Sequence, residues 1–300
     1  MHEFLQQLIN GLSLGAIYAL IALGYSMVYG LLKFINFAHG DVLMIGAFAG
    51  FYAAPVIHHF LPDPWMTTAA VLLWAMLLCA ILGVVIERLA YRPLRDQPKL
   101  AVLITSIGVS LLLSYGGQIL FGVNQKAFPD LLPPIRISLG QEVTMSGNHL
   151  LVIVVTMVLL VGLREIVLRT RFGLALRALS QNRDAASLMG VNSNAVISLT
   201  FAVGSALAGA AGVLYAMNIH SIEPLMGTLP GIKAFVAAVL GGIGSLPGAA
   251  VGGLLLGLTE CLLGGSFLSS YRDAIAFGIL IVILLIRPSG LFGSSASEKV

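Results

Sequence analysis

The segment Lys33-Phe-Ile-Asn-Phe-Ala-His-Gly-Asp41 carries Asn36, His39 and Asp41 between two apolar runs that would otherwise almost merge. An amide, an imidazole and a carboxylate at this spacing can relay hydrogen bonds or protons. Ionisable groups among apolar runs are costly unless they face a cavity, a partner side chain or an interface. Two readings follow: the three residues line a gate or pathway, or they form a short aqueous turn with Asp41 capping the next helix. Metal binding is not expected of His39, because His58 and His59 fall at the far end of the next run and no Cys or second carboxylate converges there. Glu260 stands in an apolar helix after Gly253 and is the best candidate for a carboxylate inside an apolar medium. Glu87 beside Arg88 reads as an interfacial pair, and Glu223-Pro224 as part of an external loop.

The run 241–253 is dense in Gly and holds Gly242, Gly244, Ser245 and Pro247. It reads as a broken or tightly packed helix. Irregular backbone at membrane depth survives only when buried in protein or lining a wet cavity, so the run either borders a pathway or is a tight turn between packed helices.

No catalytic constellation emerges. His39 and Ser110 make a pair only by free choice among many serines, HExxH is absent, and the aspartates lie mostly in loops. An intramembrane protease is therefore excluded. No GxxxxGK[ST] phosphate loop occurs, so the chain does not itself bind ATP in that manner.

These residues need helices in a bilayer to position them. Of 300 residues, 58% are hydrophobic and only 10% charged, against about a quarter charged in soluble domains. Mean hydropathy is +0.98. The expected fold is all-α, a polytopic bundle of eight or nine spans over residues 1–300. Candidate spans, each needing about 20 apolar residues, lie near 8–32, 41–60, 66–87, 100–121, 149–168, 195–217, 231–246, 248–265 and 272–287. The pair at 231–265 is short, and Ser245-Leu-Pro-Gly248 is expected to separate its halves. Gly11/Gly15, Gly46/Gly50 and Gly253/Gly257 are spaced for close helix packing. Cys79 and Cys261 sit in apolar runs and read as small buried hydrophobes. The N-terminus has no basic region or cleavage site, so the first span is expected to be retained.

Basic clusters at Arg88, Arg92, Arg95 and Lys99, and at Arg164, Arg169, Arg171, Arg177 and Arg183, belong on the cytoplasmic side. The loop 122–148, with balanced charge and Pro129, Pro133 and Pro134, reads as external, and Arg287 leaves the C-terminus inside. Nine spans place the N-terminus outside and eight place it inside.

The second basic cluster continues as a water-compatible, amphipathic segment through Gly190. A loop with its own apolar stripe suits a docking partner. A stand-alone secondary carrier would need buried ion-coupling groups, and the scarcity of intramembrane charge argues against one.

Asp184-Ala-Ala-x3-Gly190 resembles the Glu-Ala-Ala-x3-Gly coupling signature of binding-protein-dependent ABC importer permeases, with Asp in place of Glu. Thr170-Arg-Phe-Gly-Leu-Ala-Leu-Arg-Ala178, Tyr25-Ser-Met-Val-Tyr-Gly30, Ile35-Asn-Phe-Ala-His-Gly40, Glu87-Arg-x-Ala-Tyr-Arg-Pro93 and Arg287-Pro-x-Gly290 are similar to the branched-chain amino acid permeases of that class. So is Lys233-Ala-Phe-x-Ala-Ala-Val-Leu-Gly-Gly-Ile-Gly-Ser245. The resemblance implies a transport subunit of the bacterial inner membrane, working beside a LivM-like second permease. It also implies two cytoplasmic ABC ATPases that carry the ATP, a periplasmic substrate-binding protein, no cofactor on this chain and no nucleic acid. Urea and short-chain amide permeases share two of these motifs and remain the alternative cargo class.

On this reading the cytoplasmic coupling loop is 169–194. Arg177, Arg183, Asp184, Ala185, Ala186 and Gly190 form the docking element, and Leu176, Leu179, Ala186 and Met189 form its apolar stripe. Asn36, His39, Asp41, Gly242, Gly244, Ser245 and Glu260 are the candidates for pathway or gate. No paired carboxylate and ammonium is apparent, so the path is expected to be mostly apolar.

Overall fold

The computed structural model describes residues 2–95, 97–138, 143–265, 269–287 and 289–293. Helices α1 (His2–Leu32), α2 (His39–Phe60), α3 (Pro64–Ile86), α4 (Lys99–Phe121) and α5 (Gly147–Arg169) are followed by two short ones, α6 (Arg171–Gln181) and α7 (Arg183–Leu188). Then come α8 (Ser193–Ile219), α9 (Thr228–Gly241), α10 (Leu246–Gly264) and α11 (Arg272–Ile286). Two antiparallel strand pairs, β1 (Lys126–Ala127) with β4 (Ser221–Ile222) and β2 (Arg136–Ser138) with β3 (Thr144–Ser146), decorate one end.

Local chemistry punctuates the helices. Asp63 Oδ1 accepts from the amides of Trp65 and Met66 ahead of α3, with Pro64 in its first turn. Thr170, Asn182 and Asn192 cap α6, α7 and α8 in the same way. Beyond Ile86 the helical path of α3 continues as a π turn, Glu87–Tyr91, and a 3₁₀ turn, Arg92–Leu94. Pro93 has no amide hydrogen to continue the α pattern there.

Helix α1 is the axis of the molecule. Its middle is buried all round, as is much of α8, whereas α3, α4 and α5 bury only one side and expose apolar residues outward. Helices apolar on every face are those enclosed by others or by lipid. Two glycine pairs bring α1 and α10 together antiparallel: a Cβ on Gly11 or Gly15 would meet the backbone of Leu258 or Leu254, and one on Gly257 would overlap Gly15.

Among the described residues, seven helices are long and apolar enough to cross a membrane. The candidate at 231–246, expected to be short, is α9 with 14 residues, about 21 Å against a core of about 30 Å. The passage is completed by irregular chain. Ile222 pairs with Lys126, whose Nζ bonds the Tyr52 hydroxyl, while Gly227 abuts Gly40. The backbone from 222 to 227 thus leads, through turns closed by the Met226 amide on the Glu223 carbonyl and the Thr228 amide on the Leu225 carbonyl, from the strand pair to the start of α9 beside Gly40.

The faces can be matched. The C-terminal end of α1, α6, and the α9–α10 turn share one basic end, where Leu291 and Phe292 donate to the carbonyls of Leu240 and Gly241. The start of α1 lies at the other end, where Gln6 accepts from the amide of Thr144 and Gln7 touches Gly265. Among the described residues the chain changes ends an odd number of times, leaving the N-terminus opposite the basic face.

Candidate functional site

The segment 171–190 is two helices, not one. Asn182 breaks it, and its Oδ1 accepts from the amide of Ala185 at 3.0 Å to begin α7. The expected docking stripe is largely turned inward. Leu176, Leu179 and Ala186 are buried against the rest of the chain, and Gly173 lies directly on the carbonyls of Ile166 and Val167. The physical reason is competition: the bundle's own apolar end covers the stripe first. Leu188 and Met189 remain, 88% and 85% exposed. Arg177, Arg183, Asp184 and Ala185 stay on the outer side. Gly190 has φ +85° and a clear surrounding. A turn with left-handed backbone is thus its role within this chain.

The Asn36 segment is interior, and the reading as an aqueous turn is overturned. Asn36 Oδ1 accepts from Tyr91 Oη at 2.6 Å. Asp41 accepts from Ser110 and Ser114 of α4, both at 2.5 Å, and all three candidates are buried. Asp41 does not cap α2: Ala38 holds the cap position and makes no side-chain bond. Ser110 therefore belongs to Asp41, and the imagined pairing with His39 is absent. The His39 ring meets Tyr25 edge-on at 4.7 Å, fits against Gly24, and leaves Nε2 without a partner. Gly40 and Gly227 touch through backbone, so α2 and α9 begin side by side within the bundle.

Gly242, Gly244 and Ser245 make the turn between α9 and α10. Gly242 and Gly244 have φ +103° and +90°, and Ser245 Oγ accepts from the Gly248 amide at 3.2 Å. Pro247 belongs to the first turn of α10 and does not separate the helices. This turn opens onto a cavity of about 310 Å³ shared with Lys33 and Arg177 on the basic face, away from the Asp41 cluster.

Glu260 is interior as expected, but it is not alone. Lys233 Nζ bonds Oε1 at 2.7 Å and Tyr18 Oη bonds Oε2 at 2.9 Å, while Lys233 also pairs with Asp273 at 2.8 Å. Lys233 and Glu260 neutralise each other, so intramembrane charge is less scarce than the sequence suggested. Lys233 was missed although its position carries a signal: an ammonium in an apolar helix requires a carboxylate, and Glu260 was the candidate. Glu87 was also misread. It is fully buried, paired with Arg95 and accepting from Ser198 at 2.5 Å, while Arg95 reaches Asn194 Oδ1 at 2.7 Å.

These contacts connect. The start of α8, just after α7, is tied by Asn194 and Ser198 to Arg95 and Glu87; the π turn containing Glu87 also contains Tyr91; and Tyr91 holds Asn36 beside His39 and Asp41. At the opposite end, cavities of about 530 and 570 Å³ are lined by Phe48, Phe51, Tyr52, Trp74 and Phe121 and by Leu131 and Leu132. Among the described residues no cluster of His, Cys, Asp and Glu could hold a metal ion.

A family model described as branched-chain amino acid transport system, permease component, matches residues 7–284. The chain is 45% identical to the high-affinity branched-chain amino acid transport system permease protein BraD of Pseudomonas aeruginosa, covering 100% of this chain and 99% of the relative. Identity to the corresponding protein LivH of Escherichia coli is 40%, covering 99% and 98%. A probable branched-chain amino acid transport permease protein LivM of Methanocaldococcus jannaschii is 25% identical, covering 92% and 90%. No solved structure matches.

Proposed function

Because the chain belongs to the branched-chain amino acid transport permease family, we propose that it is the membrane permease of an ATP-driven importer of branched-chain amino acids. It works in the bacterial inner membrane beside a LivM-like second permease. A periplasmic binding protein delivers the cargo to the end carrying the apolar cavities, and two ATPases bind the basic, cytoplasmic end. The chain itself binds no cofactor.

The observation that carries this reading is the α6–α7 element: anchored by its buried Leu176 and Leu179, it presents Leu188 and Met189 beside a basic surface. Exposed apolar side chains on a rigidly seated helix pair suit a groove on a partner. Movement of α7 would reach the Asp41 cluster through Asn194, Glu87–Arg95, Tyr91 and Asn36. Alternating access requires two states that the ATPases bind with different affinity. The names of the relatives favour branched-chain amino acids over urea or amides as cargo.

The test replaces Leu188 and Met189 with Glu, which leaves the buried anchors untouched. Co-purification of the ATPases and leucine-dependent ATP hydrolysis should be lost while the chain still inserts. Gly190→Val should have a similar effect, because a β-branched residue is strained at that φ. ATPase binding unchanged in both variants would sink the assignment.

A further inference from the structure

The end of α1, the coupling helix α6 and the first turn of α10 enclose the 310 Å³ cavity on the basic face, where Lys33 and Arg177 stand with the hydroxyls of Ser26, Ser180 and Ser245. Beside it lies an apolar cavity of about 240 Å³, lined by Leu23, Leu160, Leu163 and Leu168, and the two share Val167 and Leu246. The two stand side by side, the first cationic at the basic face and the second apolar between α1, α5 and α10. Arg164 stands at the apolar half.

The cations are not neutralised from within. Among the described residues no carboxylate pairs with Lys33 or Arg177. Lys33 Nζ lies 6.0 Å from the Tyr29 ring centroid, and Arg177 makes only long bonds of 3.3 and 3.4 Å to the carbonyls of Gly173 and Leu168. Ser26, lining the same cavity, is 1% exposed and its Oγ has no partner. Its hydroxyl is thus free to bond a polar group that enters the cavity.

We propose that the two cavities together bind an anionic phospholipid, its phosphate on Lys33 and Arg177 and one acyl chain in the groove between α1, α5 and α10. Basic pockets between membrane helices near the cytoplasmic surface suit such headgroups. A small free anion would fill only the cationic half, whereas a phospholipid fills both. The bound lipid braces α6 against the α9–α10 turn, so the membrane's anionic content sets how firmly the coupling helix is seated. Lipid binding depends on the chain spanning a bilayer and not on its cargo or its ATPases, so it is tested separately from the transport reading.

The purified full chain, with the subunits that co-purify, is titrated in mild detergent with phosphatidylglycerol or phosphatidylcholine, and bound lipid is counted by native mass spectrometry. Phosphatidylglycerol should bind tighter by about tenfold, the scale of one or two cations near an anionic surface. The Lys33→Gln, Arg177→Gln pair should lose that preference. Leu160→Trp, which fills the apolar half and alters no charge, should weaken both lipids. Equal binding of the two lipids, an unchanged preference in the Lys33→Gln, Arg177→Gln pair, or undiminished binding in Leu160→Trp overturns the proposal. Displacement of the lipid by inorganic phosphate or free leucine overturns it in favour of a small-anion site.

Discussion

Lys233 and Glu260 show how an ionic residue is tolerated in this bundle. Each is buried, and each has its partner within hydrogen-bond reach, with Tyr18 and Asp273 completing the set. Removing one member of such a pair strands the other charge, at a cost of about 3–5 kcal/mol. Lys233→Met should therefore lower the unfolding temperature in detergent sharply, and adding Glu260→Leu should restore most of the loss. A wild-type transition for Lys233→Met alone would show that the pair is not structural. Asp41 is a different case, because its partners are two neutral hydroxyls. An amide can hydrogen-bond to the same hydroxyls, so Asp41→Asn should change stability by no more than about 1 kcal/mol. Leucine uptake should nonetheless fall, since the carboxyl group at the meeting of α2 and α9 is replaced by an amide. Uptake at the wild-type level with normal expression would remove Asp41 from the pathway.

At the scale of elements, backbone contact between glycines determines which helices can be neighbours. Gly257 lies so close to Gly15 that any side chain there must force α1 and α10 apart. Overpacking of this kind typically costs about 1–3 kcal/mol. Gly257→Val should therefore lower the yield of folded protein and its thermal stability, while Gly108→Val, whose glycine faces open space, serves as the matched control. Equal behaviour of the two variants would refute the close approach. The glycine spacings were readable in advance, but their pairing was not. A GxxxG pattern gives a flat face without naming the helix opposite, and here Gly11 and Gly15 face the region of Gly253 and Gly257 at the other end of the chain.

For the whole molecule, sidedness follows from which loops share an end. The start of α1 lies beside Thr144 and Gly265, at the end opposite the basic face. A chain lacking Cys79 and Cys261 and carrying His2→Cys should react with a membrane-impermeant maleimide added to cells with a permeable outer membrane. The same chain carrying Lys33→Cys should react only after the inner membrane is opened. Reversed labelling would invert the assignment and move the α6–α7 element away from the side where the proposed ATPases would bind.

The all-helical class, most spans, the basic segment and the family were legible from composition, apolar run length and contiguous motifs, because each is a local property of the chain. The interior site was legible only in part. Asn36, His39, Asp41 and Glu260 stood out as polar residues in apolar surroundings, but their partners are remote in sequence. Burial direction was not local either: the stripe of Leu176 and Leu179 looked the same whether a partner or the chain's own bundle covered it, and Glu87 beside Arg88 concealed its bond to Arg95. Sequence alone determined that the carboxylates and the ammonium need partners, since an unpaired charge in an apolar medium is costly. Tertiary packing decided what satisfies each one, because only the folded bundle brings α9, α10, α1 and α11 within hydrogen-bond distance.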